Sequence, residues 1–304
     1  MFRKLKRYWR DPYHEIGYDM LWRHPNWMSD RWYLKTLWKR TYGYELDLKH
    51  PRTFSEKLQW LKLYDRKPIY HQMVDKVKAK SFIDDVIGNG YTIPTIGVFE
   101  SFEEIDWEVL PDRFILKATH DSGSYFIVTN KNEQKNECKK HLYIHWDKDY
   151  YLNYREWQYK GLEHRIIAEP LIASPKDLKE YKFFCFDGEP RVFQTCYDRD
   201  NSRGGAELNF FDLDGNKLDI RDVGHSRETT YRFGLSPNLK KMVMFCRKLA
   251  ADTFFLRVDF YETPDNKMFC GELTFHENAG FCSFKPDCWN YTLGDWIKLP
   301  TDSN

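Results

Sequence analysis

Net charge, long apolar runs and paired cysteines are all missing from this sequence, and each absence excludes something. Lys plus Arg number 47 against 46 for Asp plus Glu, so no overall field draws in a polyanion and no nucleic-acid partner is expected. Nowhere do about 18 apolar residues run together, and the opening "MFRKLKRYWR" leads into a polar stretch rather than a secretory apolar core. The seven cysteines (138, 185, 196, 246, 270, 282 and 288) form no CxxC pair, and an odd number leaves one over from any disulfide scheme. Cys185, Cys246 and Cys270 lie in apolar runs, where a free thiol acts as a small hydrophobe. A reducing cytoplasm is the expected compartment. Neither an internal repeat nor a low-complexity linker interrupts the chain.

What the sequence does have is aromatic mass. Aromatics make up 17% and the hydrophobic set 41% of 304 residues, against disorder, while 31% charged residues argue against a membrane-embedded body. The length suits one large or two to three small domains. Charge is uneven locally: residues 1–40 hold ten basic and four acidic side chains, a net of +6. With Trp9, Trp22, Trp27 and Trp32 among the arginines, that region suits either an aromatic helical core with a solvated basic face, or contact with an anionic glycan or the inner membrane leaflet.

Helix signals dominate the start. In "SDRWYLKTLWKRTYG", Ser29 can cap, Tyr33, Leu34, Leu37 and Trp38 repeat at helical spacing, and Gly43 can stop the helix. "TFSEKLQWLKLYDRKP" has capping-box spacing at Thr53 and Glu56. "IYHQMVDKVKAKSFIDDVI" predicts one helix over 69–87. Strands follow: "RFILKATHDSGSYFIVTN" reads as strand, polar loop and strand, "HRIIAEPLI" as a strand ending at a proline, and "YKFFCFDGEPRVFQTCY" as a hairpin turning at Asp187-Gly188. "LNFFDLDGNKL" predicts a second hairpin at Asp214-Gly215, and "NLKKMVMFCRKLAADTF" a helix. The expectation is an α+β protein, helices first and then antiparallel hairpins.

The last hairpin, "LRVDFYETPDNKMFCGELTF", concentrates charge. Strand alternation places Arg257 and Asp259 on one face, and Glu272 and Thr274 share a face on the other arm. Pairing Asp259 with Cys270 or, two residues along, with Glu272 leaves both carboxylates on the same side. Two close carboxylates repel unless a cation or proton intervenes, and Mg²⁺ takes one or two carboxylates plus substrate phosphates. The bland reading is a surface Arg257–Glu272 ion pair with Asp259 solvated. Upstream, "FILK" delivers Lys117 into "ATHDSGS", where Ser122, Gly123 and Ser124 expose backbone N–H groups to a phosphate; a solvated turn is the alternative. His141 and His145 have zinc-compatible spacing without an evident third ligand, and His120 and His276 receive no role.

In order, "VDK", "FILKATHDSGS", "IAEPLI", "YKFFCFDG", "LRVDF" and "GELTF" resemble the ATP-grasp superfamily, and the branch they are most similar to is the teichuronopeptide-biosynthesis-like (TupA-like) ligases of cell-surface polymers. That resemblance spans residues 53–296 and includes "TFSEKLQWLKLYD". It implies an ATP-grasp fold: a helical, aromatic-rich region 1–66, a central subdomain 67–168 with a phosphate flap, and a C-terminal subdomain 169–304 with the magnesium site. It implies ATP and Mg²⁺ as cofactors. Lys76 and Lys117 would be the nucleotide lysines, with Lys117 and Arg257 catalytic and residues 119–124 the flap. Pro170 and Ile172 would hold adenine beside Glu169, and Lys182 would face ribose or phosphate. Asp259, Glu272 and Thr274 would be the metal set. D-alanine:D-alanine ligases show the same thirteen-residue carboxylate spacing, but usually have asparagine where this chain has Thr274; Asn278 could substitute. The implied reaction joins a carboxylate, on this branch a uronic acid of a surface polysaccharide, to an amino acid amine through an acyl phosphate. The rival readings are a glycosyltransferase binding metal through Asp212 and Asp214, and a non-catalytic glycan-binding module.

Overall fold

A computed structural model describes residues 26–300, apart from 145, 148, 175–176, 201–204, 224–225 and 228–233. The basic segment before residue 26, with Trp9 and Trp22, and His145 lie outside the described residues.

Helix α1 (Asp30–Tyr42) starts where the Ser29 hydroxyl accepts the Trp32 N–H and stops at Gly43, whose φ of 82° an L side chain would resist. In α2 (Phe54–Tyr64) the Thr53–Glu56 capping box forms as the spacing predicts. The single helix expected over 69–87 is instead two, α3 (Ile69–Val74) and α4 (Lys78–Ile87). The break is at Asp75, extended at φ −64°, ψ 118°. Its carboxylate accepts the N–H groups of Val77 and Lys78, both at 2.9 Å, and pairs with Arg165 at 3.0 Å. Side-chain capping by a buried aspartate thus outcompetes continuation of the helix.

Strands β1 (Gly97–Phe99), β2 (Phe114–Ala118), β3 (Tyr125–Val128) and β4 (Ile166–Pro170) form an antiparallel sheet in the order β1-β4-β2-β3. Phe114 and Leu116 of β2 join Val128, Ile166 and Ala168 in a core with Cys138 and Leu142 of α5 (Lys131–Leu142). The alternate residues Ile115 and Lys117 take the opposite face. After a short α6 (Tyr151–Tyr154), a larger sheet is built from β5 (Lys179–Phe186), β6 (Glu189–Asp200), β7 (Gly205–Asp212) and, beyond β8 (Arg221–Asp222), β9 (Ser226–Arg227), then α7 (Leu239–Leu249), β10 (Phe255–Glu262) and β11 (Met268–Thr274). Its order is β11-β10-β5-β6-β7-β9. The β5–β6 turn has positive φ at both Asp187 and Gly188, the twist-matched form that Asp-Gly favours. The second predicted hairpin forms but is short: beyond the Asp214-Gly215 turn, Lys217 bridges Phe211 and the Leu218 N–H donates to the Phe210 carbonyl at 2.8 Å. The chain ends with β12 (Phe284–Lys285), paired to β8, and α8 (Cys288–Trp296).

Both faces of the large sheet are covered. Phe183, Cys185, Leu256, Val258 and Phe260 pack with α3, α4 and the predicted apolar side of α7. On the other face Phe184, Phe186 and Phe255 meet Phe54, Leu58 and Leu61 of α2 and Leu293 of α8. Lys182, Arg257 and Asp259 share that second face, so its apolar half is roofed by α2 and α8 and its charged half is reserved. All seven cysteines are free thiols and Cys288 is the exposed one.

Candidate active site

The two sheets enclose a cavity of about 570 Å³. Of the sequence-predicted residues, Lys76, Lys117, Ser122, Gly123, Ser124, Glu169, Pro170, Ile172 and Glu272 line it. Lys182, Arg257, Asp259 and Thr274 do not.

Cross-strand register explains one half. Ile115 of β2 lies opposite Glu169 of β4, so Lys117 and Glu169 share the face turned to the cavity, and Lys117 Nζ reaches Glu169 Oε2 at 2.6 Å. Glu169 also holds Lys80 at 2.5 Å. Burial works against its negative charge, but Lys117 and Lys80 outweigh it and hold its pKa below the usual carboxylate range. Glu169 is thus the counter-ion of two lysines. Sequence reading missed Lys80, which lies in the first turn of α4. Burial lowers the pKa of Lys76 and of Lys80. Lys76 donates to the carbonyls of Ala118 (2.6 Å) and Asp121, stitching α3–α4 to the loop after β2. In that loop Thr119, His120, Asp121 and Ser124 are buried, and Ser124 donates to the Asp121 carboxylate. Ser122 and Gly123 form its exposed tip, with Gly123 at φ 101°.

The other half depends on a β-bulge. The outer part of the last hairpin pairs Glu262 with Met268 and Phe260 with Cys270, and then the register shifts, so that Asp259 faces Glu272 and Arg257 faces Thr274. Unshifted pairing would set Glu272 opposite Val258, on the wrong face. One extra residue, Gly271, turns it back. The sequence reading of both carboxylates on one face is thereby correct, through a feature it did not contain.

Asp259 is fully buried, which overturns the reading in which it is solvated. It accepts two hydrogen bonds from Arg257, both at 2.7 Å, and one from Lys182 at 3.1 Å. Burial alone would raise its pKa; Arg257 and Lys182 reverse that and lower it. Arg257 also donates to Glu277 and lies 3.7 Å from Glu272. Lys182, expected at ribose or phosphate, is instead turned onto Asp259 and, at 3.5 Å, Glu180, because a buried carboxylate across the β5–β10 register is its nearest partner. The Asn278 side-chain N–H donates to Asp222 at 3.2 Å. Asp222, buried beside Glu277, has its pKa pushed up to about 7 by burial first and by that neighbour second.

Other candidates resolve as structural. Asp212 caps its own turn, accepting from the N–H groups of Asp214 and Asn216 at 3.0 and 2.8 Å, which removes the basis of the "DLD" metal reading. His120 is buried and stacks on His164 at 3.8 Å. His276 is buried against Gln158 and Glu156, and burial lowers its pKa. His141 sits in the last turn of α5.

Among the described residues no group of three or more His, Cys, Asp or Glu is arranged for a metal. Asp259 and Glu272, cross-strand neighbours with hard oxygen donors, nevertheless suit a cation that takes its remaining ligands from a nucleotide. Thr274 on the same face has a buried hydroxyl with no hydrogen-bond partner among the described residues.

Two largely antiparallel sheets closing on a lysine-bearing cavity, with an acidic pair and an arginine beside it, define an ATP-grasp fold. Within that class the chain belongs to the TupA-like ATP-grasp family, whose model matches residues 56–298. Among solved structures it is similar to the ATP-grasp ligase PsnB complexed with a minimal precursor (12% identity, TM-score 0.43, 80% of this chain and 66% of that one). It is also similar to N5-carboxyaminoimidazole synthetase from Staphylococcus aureus (14%, 0.41, 90% and 59%) and to D-alanine-D-alanine ligase from Helicobacter pylori (14%, 0.45, 81% and 69%). The chain thus spans less than two thirds of the length of the first two ligases. Comparison with curated protein sequences finds no match.

Proposed function

We propose that the protein is an ATP-dependent carboxylate–amine ligase that joins the carboxylate of a uronic acid in a surface polysaccharide, or its precursor, to an amino acid amine. The observation that carries this reading is the bulge-set pairing of Asp259 with Glu272 beside Arg257, next to a cavity whose walls carry Lys76, Lys80 and Lys117.

The residues divide the work. Apolar side chains of the cavity, among them Ile83, Ile115 and Ile127, receive the adenine, with Pro170 and Ile172 at its edge. Lys117 and Lys76 meet the phosphates, Lys117 exchanging part of its bond to Glu169 for a phosphate oxygen. Asp259 and Glu272 would hold magnesium, which when bound offsets negative charge on the phosphates. The substrate carboxylate oxygen attacks the γ-phosphorus and the bond to ADP breaks. The amine then attacks the acyl carbon, loses a proton and expels phosphate. Arg257, fixed by Asp259 and Glu277, faces the charge that develops on the acyl oxygen, where a single donor elsewhere contributes about 3–4 kcal/mol. No side-chain nucleophile is required. The described residues contain no helix long and apolar enough to cross a membrane. On this reading the enzyme works at the cytoplasmic side, where the basic N-terminal segment would meet an anionic leaflet.

The test is incubation with ATP, Mg²⁺, a uronic acid and mixed amino acids, reading ADP, phosphate and a new amide by mass. Release of ADP that needs the uronic acid, and that Lys117→Met abolishes, is the expected result; nucleotide-sugar turnover, or no ATP consumption, overturns the reading.

A further inference from the structure

Besides Glu56 of its capping box, helix α2 buries three polar side chains that a surface helix would leave in water. Ser55, Gln59 and Lys62 recur on one helical face and are 5%, 0% and 0% exposed. All three direct hydrogen bonds to one short segment. The Ser55 hydroxyl donates to the Cys282 carbonyl at 2.9 Å and accepts its N–H at 3.0 Å. Gln59 donates to the Gly280 carbonyl at 2.7 Å. Lys62 donates to the Ala279 carbonyl at 2.5 Å and the Tyr154 carbonyl at 3.0 Å. The segment is the turn Glu277–Gly280 with the two residues after it, and within the turn Asn278, Ala279 and Gly280 have φ of 45°, 52° and 72°. Consecutive non-glycine residues in the left-handed region persist only where their surroundings over-determine them. At the head of this turn, Glu277 takes a hydrogen bond from Arg257.

We infer that Ser55, Gln59 and Lys62 are a positioning clamp: they hold the Glu277–Gly280 turn left-handed and, through Glu277, aim the Arg257 guanidinium at the reacting acyl group. What Arg257 does rests on the ligase reading; the clamp itself does not. Lys62 is the most informative member. It is fully buried with two backbone carbonyls as hydrogen-bond acceptors, and burial brings its pKa down to about 8. Replacing it with an apolar residue of equal length would leave the Ala279 and Tyr154 carbonyls without this donor, and a buried acceptor left unmade is costly. A lysine at this buried position thus anchors the carbonyls of the turn.

Lys62→Met removes the donor and keeps the length. The expected pattern is a folded protein with a lowered unfolding midpoint, because two buried carbonyls lose a donor, and hydrogen exchange of amides 278–281 faster by on the order of 10-fold. The kcat for ATP-dependent amide formation should fall on the order of 10²-fold, as for a displaced catalytic group, with the KM for ATP unchanged because no clamp residue lines the cavity. Gln59→Leu, read the same way, should show the same pattern in weaker form and serves if Lys62→Met does not fold. Wild-type exchange in the turn, faster exchange with wild-type kcat, or a fall in kcat accompanied by a higher KM for ATP would each overturn the clamp. If the wild-type chain consumes no ATP, the ligase reading fails while the exchange measurement still decides whether the clamp exists.

Discussion

Gly271→Ala addresses the feature on which the acidic pair depends. A Cβ at this position would lie 2.7 Å from Cδ2 of Tyr261 and closer still to Cε2. Carbon atoms sit comfortably at about 3.5–4.0 Å, so either the Tyr261 ring retreats by about 1 Å or the bulge flattens. Overpacking of this kind costs about 1–3 kcal/mol. Flattening also turns Glu272 toward the face of Val258 and separates it from Asp259. Urea unfolding should show stability lower by that amount, and titration of a fluorescent ATP analogue with Mg²⁺ should show affinity lower by about tenfold or more, which is about 1.4 kcal/mol. Tyr261→Leu in the same chain makes room for the methyl, so the double variant should recover at least about 1 kcal/mol relative to the sum of the single effects. Wild-type stability and affinity in Gly271→Ala, or strict additivity in the double variant, would refute the role given to the bulge.

Three further outcomes are expected. Asp259→Asn should abolish ADP release and destabilise the protein toward the lower end of about 3–5 kcal/mol, since Arg257 keeps Glu277 and Lys182 keeps Glu180. The Asp259 pKa is lower in the folded protein than the ~3.9 of a free aspartate. Its stabilisation is therefore complete above about pH 4 and lost as pH falls through the folded value, so acid denaturation should narrow the gap between variant and wild type. Asp222 has the opposite sign: with a folded pKa of about 7, the folded state holds a proton the unfolded state has released, and stability declines by about 2 kcal/mol from pH 5 to 7. Asp222→Asn should flatten that decline in chemical denaturation. Finally, a thiol reagent should modify one cysteine in the native chain, Cys288, and all seven after unfolding.

Much of this protein was legible before its coordinates. Local rules are enough for the Thr53–Glu56 capping box, the Asp187-Gly188 turn and the alternating strand "FILKA", because each depends on neighbours within a few residues. The ordered motifs likewise placed Lys117, Glu169 and the carboxylates of the last hairpin. Reading failed where a long-range partner took over. Asp75 interrupts a good helical pattern by capping Val77 and Lys78 while Arg165, just ahead of β4, pairs with it. Lys182 pairs with Asp259 and does not line the cavity.

By itself the sequence determined the chemical inventory: two lysines after apolar segments, an arginine and two acids on one hairpin, an absence of bilayer-length apolar runs. Tertiary structure decided which of these groups meet. A hairpin's side-chain period is two, so a single unpaired residue at Gly271 chooses between a joined and a divided acidic pair, and no local preference records that choice. Likewise Ser55, Gln59 and Lys62 look like an ordinary polar stripe until the fold lays a turn more than 200 residues away against them.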